Sequence, residues 1–168
     1  VKETVIRNYL EMKSFNSLIE SVAPVLECSI DFVKPDDFQL NKFFYKNVGK
    51  KHRWTDRLSW SESDWIKYSS DQKVETYVLR VKDDPAGYFE LILHSDFQEI
   101  EIAYFGLLEE YHKKKLGGYL LSSAIKKSFE KSCIKRVWVH TCTLDHENAL
   151  KNYLARGMKI YNKETINI

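Results

Sequence analysis

Three consecutive lysines stand directly before a segment with helical spacing. Lys113, Lys114 and Lys115 are followed by Gly117 and Gly118. The apolar stripe of that helix consists of Leu116, Leu120, Leu121, Ala124 and Ile125. Positive charge at a helix N-terminus is unfavourable by about 0.3–1 kcal/mol per residue, because the terminus is already positive. A bound polyanion would offset this, since free backbone N–H groups and lysines both attract it and glycine permits close approach. The segment favours an anion site, with a solvated surface lysine run as the alternative.

Known nucleotide-binding fingerprints do not explain this loop. The chain contains neither a G-x-x-x-x-G-K-[ST] phosphate loop nor a dinucleotide-binding G-x-G-x-x-G sequence. A different kind of anion-binding turn is therefore indicated.

The elements that must position this turn follow from hydrophobic periodicity. Alternating residues predict strands, and apolar residues spaced three and four apart predict helices. Ser61 and Asp64 form a candidate capping box, and the Asp83-Asp84-Pro85 run predicts the turn of a hairpin. The predicted strands are residues 4–12, 25–33, 75–82, 86–94, 99–107, 136–141 and 158–163, and the predicted helices are residues 35–49, 61–68, 117–131 and 147–156. This order predicts a mixed α/β (α+β) fold, with helices packed on a central sheet.

Strand 99–107 carries two acidic residues that the alternation places on one face. Glu99, Glu101, Ala103 and Phe105 share that face in the predicted strand, and Ile100, Ile102 and Tyr104 share the other. Gly106 near the end of the strand is compatible with a β-bulge.

Composition excludes several classes of protein. The 168 residues include 26 basic and 24 acidic side chains, so a net charge of +2 gives no general attraction for nucleic acid. Three scattered cysteines predict neither a disulfide framework nor a structural zinc site, and reduced thiols and a cytoplasmic location are expected. The first residues lack the apolar region of a secretory signal, and no apolar run is long enough to span a membrane. Residues 1–168 show no linker or repeat and are expected to form one domain.

The sequence HKKKLGGYLL resembles the acetyl-coenzyme A signature of the GCN5-related N-acetyltransferase (GNAT) family, Q/R-x-x-G-x-G/A followed by x-x-L-L. His112 stands in the Gln/Arg place, Lys115 in the first Gly place and Gly117 in the second. A non-glycine residue at Lys115 is not expected to adopt a positive φ easily.

A second segment, HENALKNYLARGM, resembles the family's N-x-x-A-x-x-x-Y-x-x-x-G-F signature. His146 stands in the Asn place, Ala149, Tyr153 and Gly157 match, and Met158 stands in the Phe place. The two signatures have the family's separation and the strand RVWVHT between them.

The resemblance implies a mostly antiparallel sheet of six or seven strands with about four helices, and acetyl-CoA as acetyl donor. It implies direct attack by a primary amine, with Glu101 as candidate base and Tyr153 as candidate acid toward the leaving thiolate. Glu99 is a weaker base candidate. A solvent-facing cross-strand ion pair is the alternative for Glu101, and core packing is the alternative for Tyr153. The coenzyme-contacting residues implied are Tyr104, Phe105, Gly106, Leu107, His112, Lys113, Lys114, Lys115, Leu116, Gly117, Gly118, His146, Ala149 and Tyr153.

The segment HRWTDRLSW corresponds to the family's acceptor-site wall. Trp54, Asp56, Arg57 and Trp60 are its candidate substrate-binding residues, with Asp56 attracting an amine or Arg57 a carboxylate. A structural Asp–Arg pair beneath a tryptophan is the alternative. The acceptor is expected to be a small molecule or a peptide, and the residues do not distinguish a monomer from a homodimer.

The segment WVHTCTLDH concentrates His140, Cys142, Asp145 and His146, but without zinc-site spacing. Neither a metal site nor a Cys142 nucleophile is expected there, and core packing and coenzyme contact are favoured. A catalytically silent acyl-CoA-binding module on the same fold is the main alternative function, because the phosphate-loop residues depart from the signature. A nucleic-acid-binding role for the lysines is disfavoured by the balanced charge.

Overall fold

One seven-stranded sheet organises the protein in a computed structural model that describes residues 2–168. The strands are β1 (Thr4–Met12), β2 (Cys28–Val33), β3 (Val74–Val81), β4 (Asp84–His94), β5 (Glu99–Leu107), β6 (Arg136–Cys142) and β7 (Lys159–Asn167). The helices are α1 (Phe38–Gly49), α2 (Glu62–Ser69), α3 (Gly117–Phe129) and α4 (Ala149–Ala155). This arrangement confirms the predicted fold class.

The strand order is β2-β3-β4-β5-β6-β1-β7, and all neighbours are antiparallel except β5 and β6, which are parallel. The bounds of β1 and β5 agree with the predicted ones. β2 begins three residues later than predicted, at Cys28, and β7 extends past the predicted end to Asn167. Ser61 and Asp64 form the predicted capping box of α2.

Within residues 2–168, no helix is both long enough and apolar enough to cross a membrane.

Apolar residues cover both faces of the sheet. On one face, Leu120, Leu121 and Ile125 of α3 pack in the main core with strand residues such as Leu79 and Val137. On the other face, Phe44 and Val48 of α1, together with Val78 and Tyr88, form a second core. Tyr88 stacks on Phe44 with ring centroids 4.9 Å apart. The helices are therefore fixed to the sheet by continuous apolar contact rather than by helix propensity alone.

A β-bulge in β5 changes which side chains share a face. Glu90 of β4 pairs with Tyr104 whereas Leu91 pairs with Ile102, so Ala103 is an extra residue. Beyond the bulge, Phe105 packs against the α3 core and Tyr104 against the α1 core. The predicted assignment of Tyr104 to the Ile100 face and of Phe105 to the Glu101 face is thus wrong, because one inserted residue reverses the alternation.

A buried ion pair joins the α1–α2 loop to the sheet. The Arg57 guanidinium lies 3.0 Å from Glu90 Oε1, and Glu90 is completely buried. Glu90 also accepts hydrogen bonds from the Tyr68 hydroxyl at 2.7 Å and from the Asn41 amide at 3.3 Å. Arg57 lies over the rings of Tyr68 and Tyr104, 4.0 and 4.2 Å from their centroids. Although burial alone would lower the pKa of Arg57, the Glu90 charge raises it above its usual value.

Removal of this cation should destabilise the fold strongly. Arg57→Met is expected to lower the free energy of unfolding by about 3–5 kcal/mol, because it leaves the Glu90 carboxylate buried and unpaired. The double variant Arg57→Met/Glu90→Leu should recover much of the loss. Urea denaturation followed by circular dichroism measures both. Arg80→Met is the control, since that guanidinium lies 4.0 Å from Asp31 at the surface and should cost under about 1 kcal/mol. If Arg57→Met lowers the free energy of unfolding by less than Arg80→Met does, the prediction is contradicted.

Candidate functional site

The sheet opens between its two parallel strands. β5 and β6 pair only at Glu99–Arg136, Ile100–Val137 and Glu101–Trp138, although β5 continues to Leu107 and β6 to Cys142. Along the second half of β5, the edge that faces β6 therefore has no strand partner in the described chain. Its backbone donors and acceptors are available to an extended ligand, as at the edge strands that bind peptides. A cavity of about 1100 Å³ lies in this opening.

The predicted coenzyme residues lie mostly along this cavity. Tyr104, Phe105, Gly106 and Leu107 contribute the β5 wall. The far end is lined by His112, Lys113, Lys115, Leu116, Gly117, Gly118, His146, Ala149 and Tyr153. Lys114 is exposed and does not line the cavity. The bulge in this strand lies at Ala103, before the predicted Gly106.

The lysine loop holds two strained residues. Lys113 and Lys115 have φ values of 61° and 59°, which place both in the left-handed region. The sequence disfavoured this conformation at Lys115, yet the loop adopts it. Left-handed backbone costs about 1–2 kcal/mol for a residue with a Cβ. Strain of this kind persists where the surrounding structure imposes it, and it is concentrated at ligand-binding sites.

The N-terminus of α3 is open to the cavity. Its N-cap residue, Leu116, makes no side-chain cap, and no acidic residue lies in the first turn. A Cβ on Gly117 would meet only the Asn152 amide, at 3.5 Å. A Cβ on Gly118 would collide with the Arg156 guanidinium and would approach the Ser21 Cβ to 2.8 Å. Uncapped N–H groups, the helix dipole and two lysines together make this end of the cavity electropositive.

Three histidines that line the cavity lie close together. His112 Nε2 lies 3.2 Å from the Leu107 carbonyl oxygen, and His52 Nδ1 lies 3.0 Å from the Leu144 carbonyl oxygen. The His146 ring lies 4.6 Å from that of His112 and 6.4 Å from that of His52. Partial burial, then the neighbouring His112 and His52, lower the pKa of His146. His52 was not predicted as a site residue. Among residues 2–168, no cluster of His, Cys, Asp or Glu has the geometry of a metal site.

Glu101 and Tyr153, the predicted acid–base residues, both line the cavity. Glu101 Oε1 lies 2.9 Å from His94 Nε2, and the His94 side chain is about two-fifths exposed at 39%. Tyr153 is buried on α4, with its ring centroid 6.1 Å from that of Phe105. Burial, then the Asp145 charge, raise the pKa of Tyr153 well above its usual value. Tyr153 therefore stays protonated at neutral pH, and Glu101 has a hydrogen-bonded route toward solvent. Glu99 instead forms a two-bond ion pair with Arg136, at 3.0 Å for each bond, and does not line the cavity.

The acceptor-wall residues separate into two pairs. Trp54 and Asp56 line the cavity, and Trp54 packs edge-on against Tyr104 with centroids 5.0 Å apart. Arg57 and Trp60 do not line it. Arg57 forms its ion pair with Glu90 rather than with Asp56. The Cζ atom of Arg57 lies 4.6 Å from the centroid of the Trp60 ring. The predicted contact between Arg57 and substrate is therefore replaced by a structural role, because the burial of Glu90 requires this cation.

Residues of β1, β6 and β7, and Ile168 after β7, complete the cavity beside the α1–α2 loop, and only His140 and Cys142 among them were singled out from the sequence. They are Val5, Arg7, Val139, His140, Cys142, Ile166 and Ile168. Desolvation, then the Arg7 charge, lower the pKa of His140. The α1–α2 loop closes over this end, since Arg53 pairs with Glu3 at 2.6 Å and His52 contacts Leu144.

These features coincide with a known family. The model of the acetyltransferase (GNAT) family matches residues 38–158, which include the bulged strand, the lysine loop and α4. The chain belongs to the GNAT family. No functionally curated protein matches it in sequence.

Solved structures show the same fold at low identity. A functionally unknown conserved protein from Staphylococcus epidermidis has a TM-score of 0.66 at 17% identity over 98% of this chain and 61% of its own. A GCN5-related N-acetyltransferase from Kribbella flavida has a TM-score of 0.69 at 14% identity over 96% of this chain and 56% of its own. An aminoglycoside acetyltransferase from an uncultured soil metagenomic sample has a TM-score of 0.63 at 12% identity over 77% of this chain and 86% of its own. The chain thus spans about three fifths of the length of the first two.

The left-handed lysine provides a test of loop strain. Lys115→Gly and Lys115→Ala both remove the charge, but only glycine adopts a positive φ without penalty. The glycine variant is expected to be more stable than the alanine variant by about 1 kcal/mol. Thermal or urea unfolding without ligand measures the difference. Equal stability of the two variants, or greater stability of the alanine variant, contradicts a left-handed Lys115.

Proposed function

We propose that the chain is an N-acetyltransferase that moves the acetyl group of acetyl-CoA to a primary amine by direct attack. One observation carries the proposal: the sheet opens into a cavity that joins an uncapped helix N-terminus to a buried tyrosine and a strand carboxylate. Each feature supports one requirement of the reaction: phosphate binding, acid catalysis and amine deprotonation.

The residues present suit coenzyme A at both of its polar parts. Its diphosphate would lie against the α3 N-terminus, where Lys113 and Lys115 supply charge and Gly117 leaves the backbone accessible. Its amide-containing arm would hydrogen-bond to the unpaired edge of β5. When bound, acetyl-CoA supplies an activated thioester carbonyl.

The acid–base roles follow from the surroundings of each group. Glu101 accepts the proton of the attacking ammonium, directly or through a water, and His94 connects it to solvent. Tyr153 donates to the departing thiolate, since burial keeps its hydroxyl protonated. Backbone N–H groups after the bulge stabilise the negative charge that develops on the carbonyl oxygen. Asp56 and Trp54 receive the amine at the other end.

Coenzyme binding is tested by blocking the helix N-terminus. Acetyl-CoA at about a hundred times its dissociation constant should stabilise the wild type by about 2.7 kcal/mol, which thermal unfolding detects readily. Gly117→Trp should fold, since Gly117 lines the cavity and a Cβ there would meet only the Asn152 amide, but it should lose the shift. Glu130→Trp, at the opposite end of α3, is the control and should keep it. If the wild type itself shows no shift at millimolar coenzyme, the proposal is wrong.

The base is tested with a matched pair of carboxylates on one strand. Glu101→Gln should lower kcat by about 10²–10⁴-fold, the usual contribution of a general base, while the acetyl-CoA thermal shift persists. Glu99→Gln should have little effect on kcat, because Glu99 pairs with Arg136 outside the cavity. Release of free thiol during turnover of an amine panel gives the rates. Coenzyme binding without turnover on any amine would favour the catalytically silent module instead.

A further inference from the structure

The acceptor end of the cavity contains a guanidinium without an anionic partner. Arg7 lies on β1, is half-buried and lines the cavity. Within residues 2–168, no carboxylate lies at ion-pair distance from it, and its nearest polar side-chain contact is the Tyr9 hydroxyl at 3.5 Å. Its Nε is buried without any hydrogen-bond partner. A partly desolvated cation without a counter-ion is unfavourable, so this position is suited to an anion from outside the chain.

The neighbouring charged groups do not neutralise Arg7. Glu164 stands opposite Arg7 in the β1–β7 register, but its carboxylate accepts the Tyr9 hydroxyl hydrogen bond at 2.9 Å. On β6, His140 faces Arg7, and desolvation and the Arg7 charge together lower the pKa of its imidazole. From the loop above, Arg53 is already paired with Glu3. Asp145, beside the Cys142 that pairs with Arg7, accepts hydrogen bonds from the Thr141 hydroxyl and the Cys142 N–H. Within residues 2–168, no carboxylate is therefore in direct ion-pair contact with Arg7, and Glu164 reaches it only through the Tyr9 hydroxyl.

Carboxylate side chains line the same cavity as Arg7. Asp56 is exposed, lines the cavity, and makes no ion pair within the described residues. Glu101 lies on β5, and β6 separates that strand from β1. Glu101 aligns with Trp138 of β6 and Glu11 of β1, whereas Arg7 aligns with Cys142, four residues further along β6. Two strand spacings are about 10 Å and four residues along a strand about 13 Å, so the two backbone positions are about 17 Å apart. The long side chains of Arg7 and Glu101 shorten the gap that one acceptor molecule would span. The acceptor end therefore presents carboxylates on one side and a guanidinium on the other.

We infer that the acceptor carries a carboxylate as well as the reacting amine, and that Arg7 binds this carboxylate. The planar guanidinium matches a carboxylate with two parallel hydrogen bonds. A single guanidinium balances one negative charge, which favours a carboxylate over a doubly charged phosphate. The substrate class is thus an amino acid, an ω-amino acid or a short peptide. The inference rests on the proposed acetyltransferase function and concerns only the choice of acceptor.

Pairs of amines that differ by one carboxylate test this assignment. The pairs are 4-aminobutyrate with propylamine, lysine with 1,5-diaminopentane, and phenylalanine with phenethylamine. Wild type should acetylate the carboxylate member of at least one pair with a kcat/KM about 10- to 100-fold above that of its partner, in line with hydrogen bonds to a charged group. Arg7→Met keeps the length of the stem and should lose this preference, so that the ratio of the two kcat/KM values falls toward one.

A second readout does not depend on turnover. Unfolding temperatures are measured for the coenzyme A complex of each protein with either member of a pair. The carboxylate member should raise the temperature of wild type more than its partner does, and should not do so in Arg7→Met. Arg7→Lys, which keeps charge but lacks the fork, should retain part of the preference.

The two proposals fail in different ways. The role of Arg7 is overturned if wild type shows the same kcat/KM and the same rise in unfolding temperature for both amines of every pair. It is also overturned if Arg7→Met lowers kcat/KM by the same factor for both amines of a pair. Either result leaves coenzyme binding and amine acetylation standing. Absence of a coenzyme shift in wild type contradicts the acetyltransferase proposal itself. A normal coenzyme shift in Arg7→Met shows that the variant is folded.

Discussion

A carboxylate with no access to solvent constrains the part of the molecule that contains α1, α2 and the loop between them. Glu90 stands on β4 opposite the bulged segment of β5, and its charge requires a cation and hydrogen-bond donors. Arg57 supplies the cation from the α1–α2 loop, Tyr68 supplies a hydroxyl from α2, and Asn41 supplies an amide from α1. One buried charge thereby fixes two helices and a loop against the sheet at the height of the cavity. The aromatic rings around Arg57 add a cation–π contribution and exclude water.

The cavity combines a stable frame with locally unfavourable features. The α3 core is dense and apolar, whereas two left-handed lysines and an uncapped helix lie at one end of the cavity. At the other end, Arg7 lacks a counter-ion. Each of these features lowers the stability of the unliganded chain. A bound anion would satisfy the free N–H groups and the unpaired charges and would offset the cost of the left-handed lysines. Unfavourable groups at both ends of one cavity are consistent with a protein that binds two ligands side by side.

Much of the fold could be predicted from residue pattern. Alternation located the strands, and Ser61 with Asp64 located the start of α2 to the residue. The lysine–glycine turn was identified because its charges oppose the helix dipole. The bulge at Ala103 was not predicted there, since no glycine marks it and it is defined only by the pairing of β5 with another strand, β4. The distinction between Asp56, which lines the cavity, and its neighbour Arg57, which does not, depended in the same way on a glutamate 33 residues away along the chain.

Arg7 and His52 show a second limit of sequence reasoning. Each is an ordinary polar residue in its own segment, and neither belongs to a recognisable motif. Their positions arise only when β1 lies beside β6 and when the end of α1 meets the loop after β6. Register and loop closure are long-range properties, so local spacing gives no signal for them.

The three residue pairs between β5 and β6 have a mechanical consequence. The seven strands amount to two smaller sheets joined along a short seam, with α3 and its apolar face spanning the join. In the proposed complex, the amide-bearing arm of the coenzyme extends that seam by supplying hydrogen bonds that β6 does not. The cofactor would then act as an additional strand between β5 and β6, which without it are joined by three residue pairs and by the apolar core under α3.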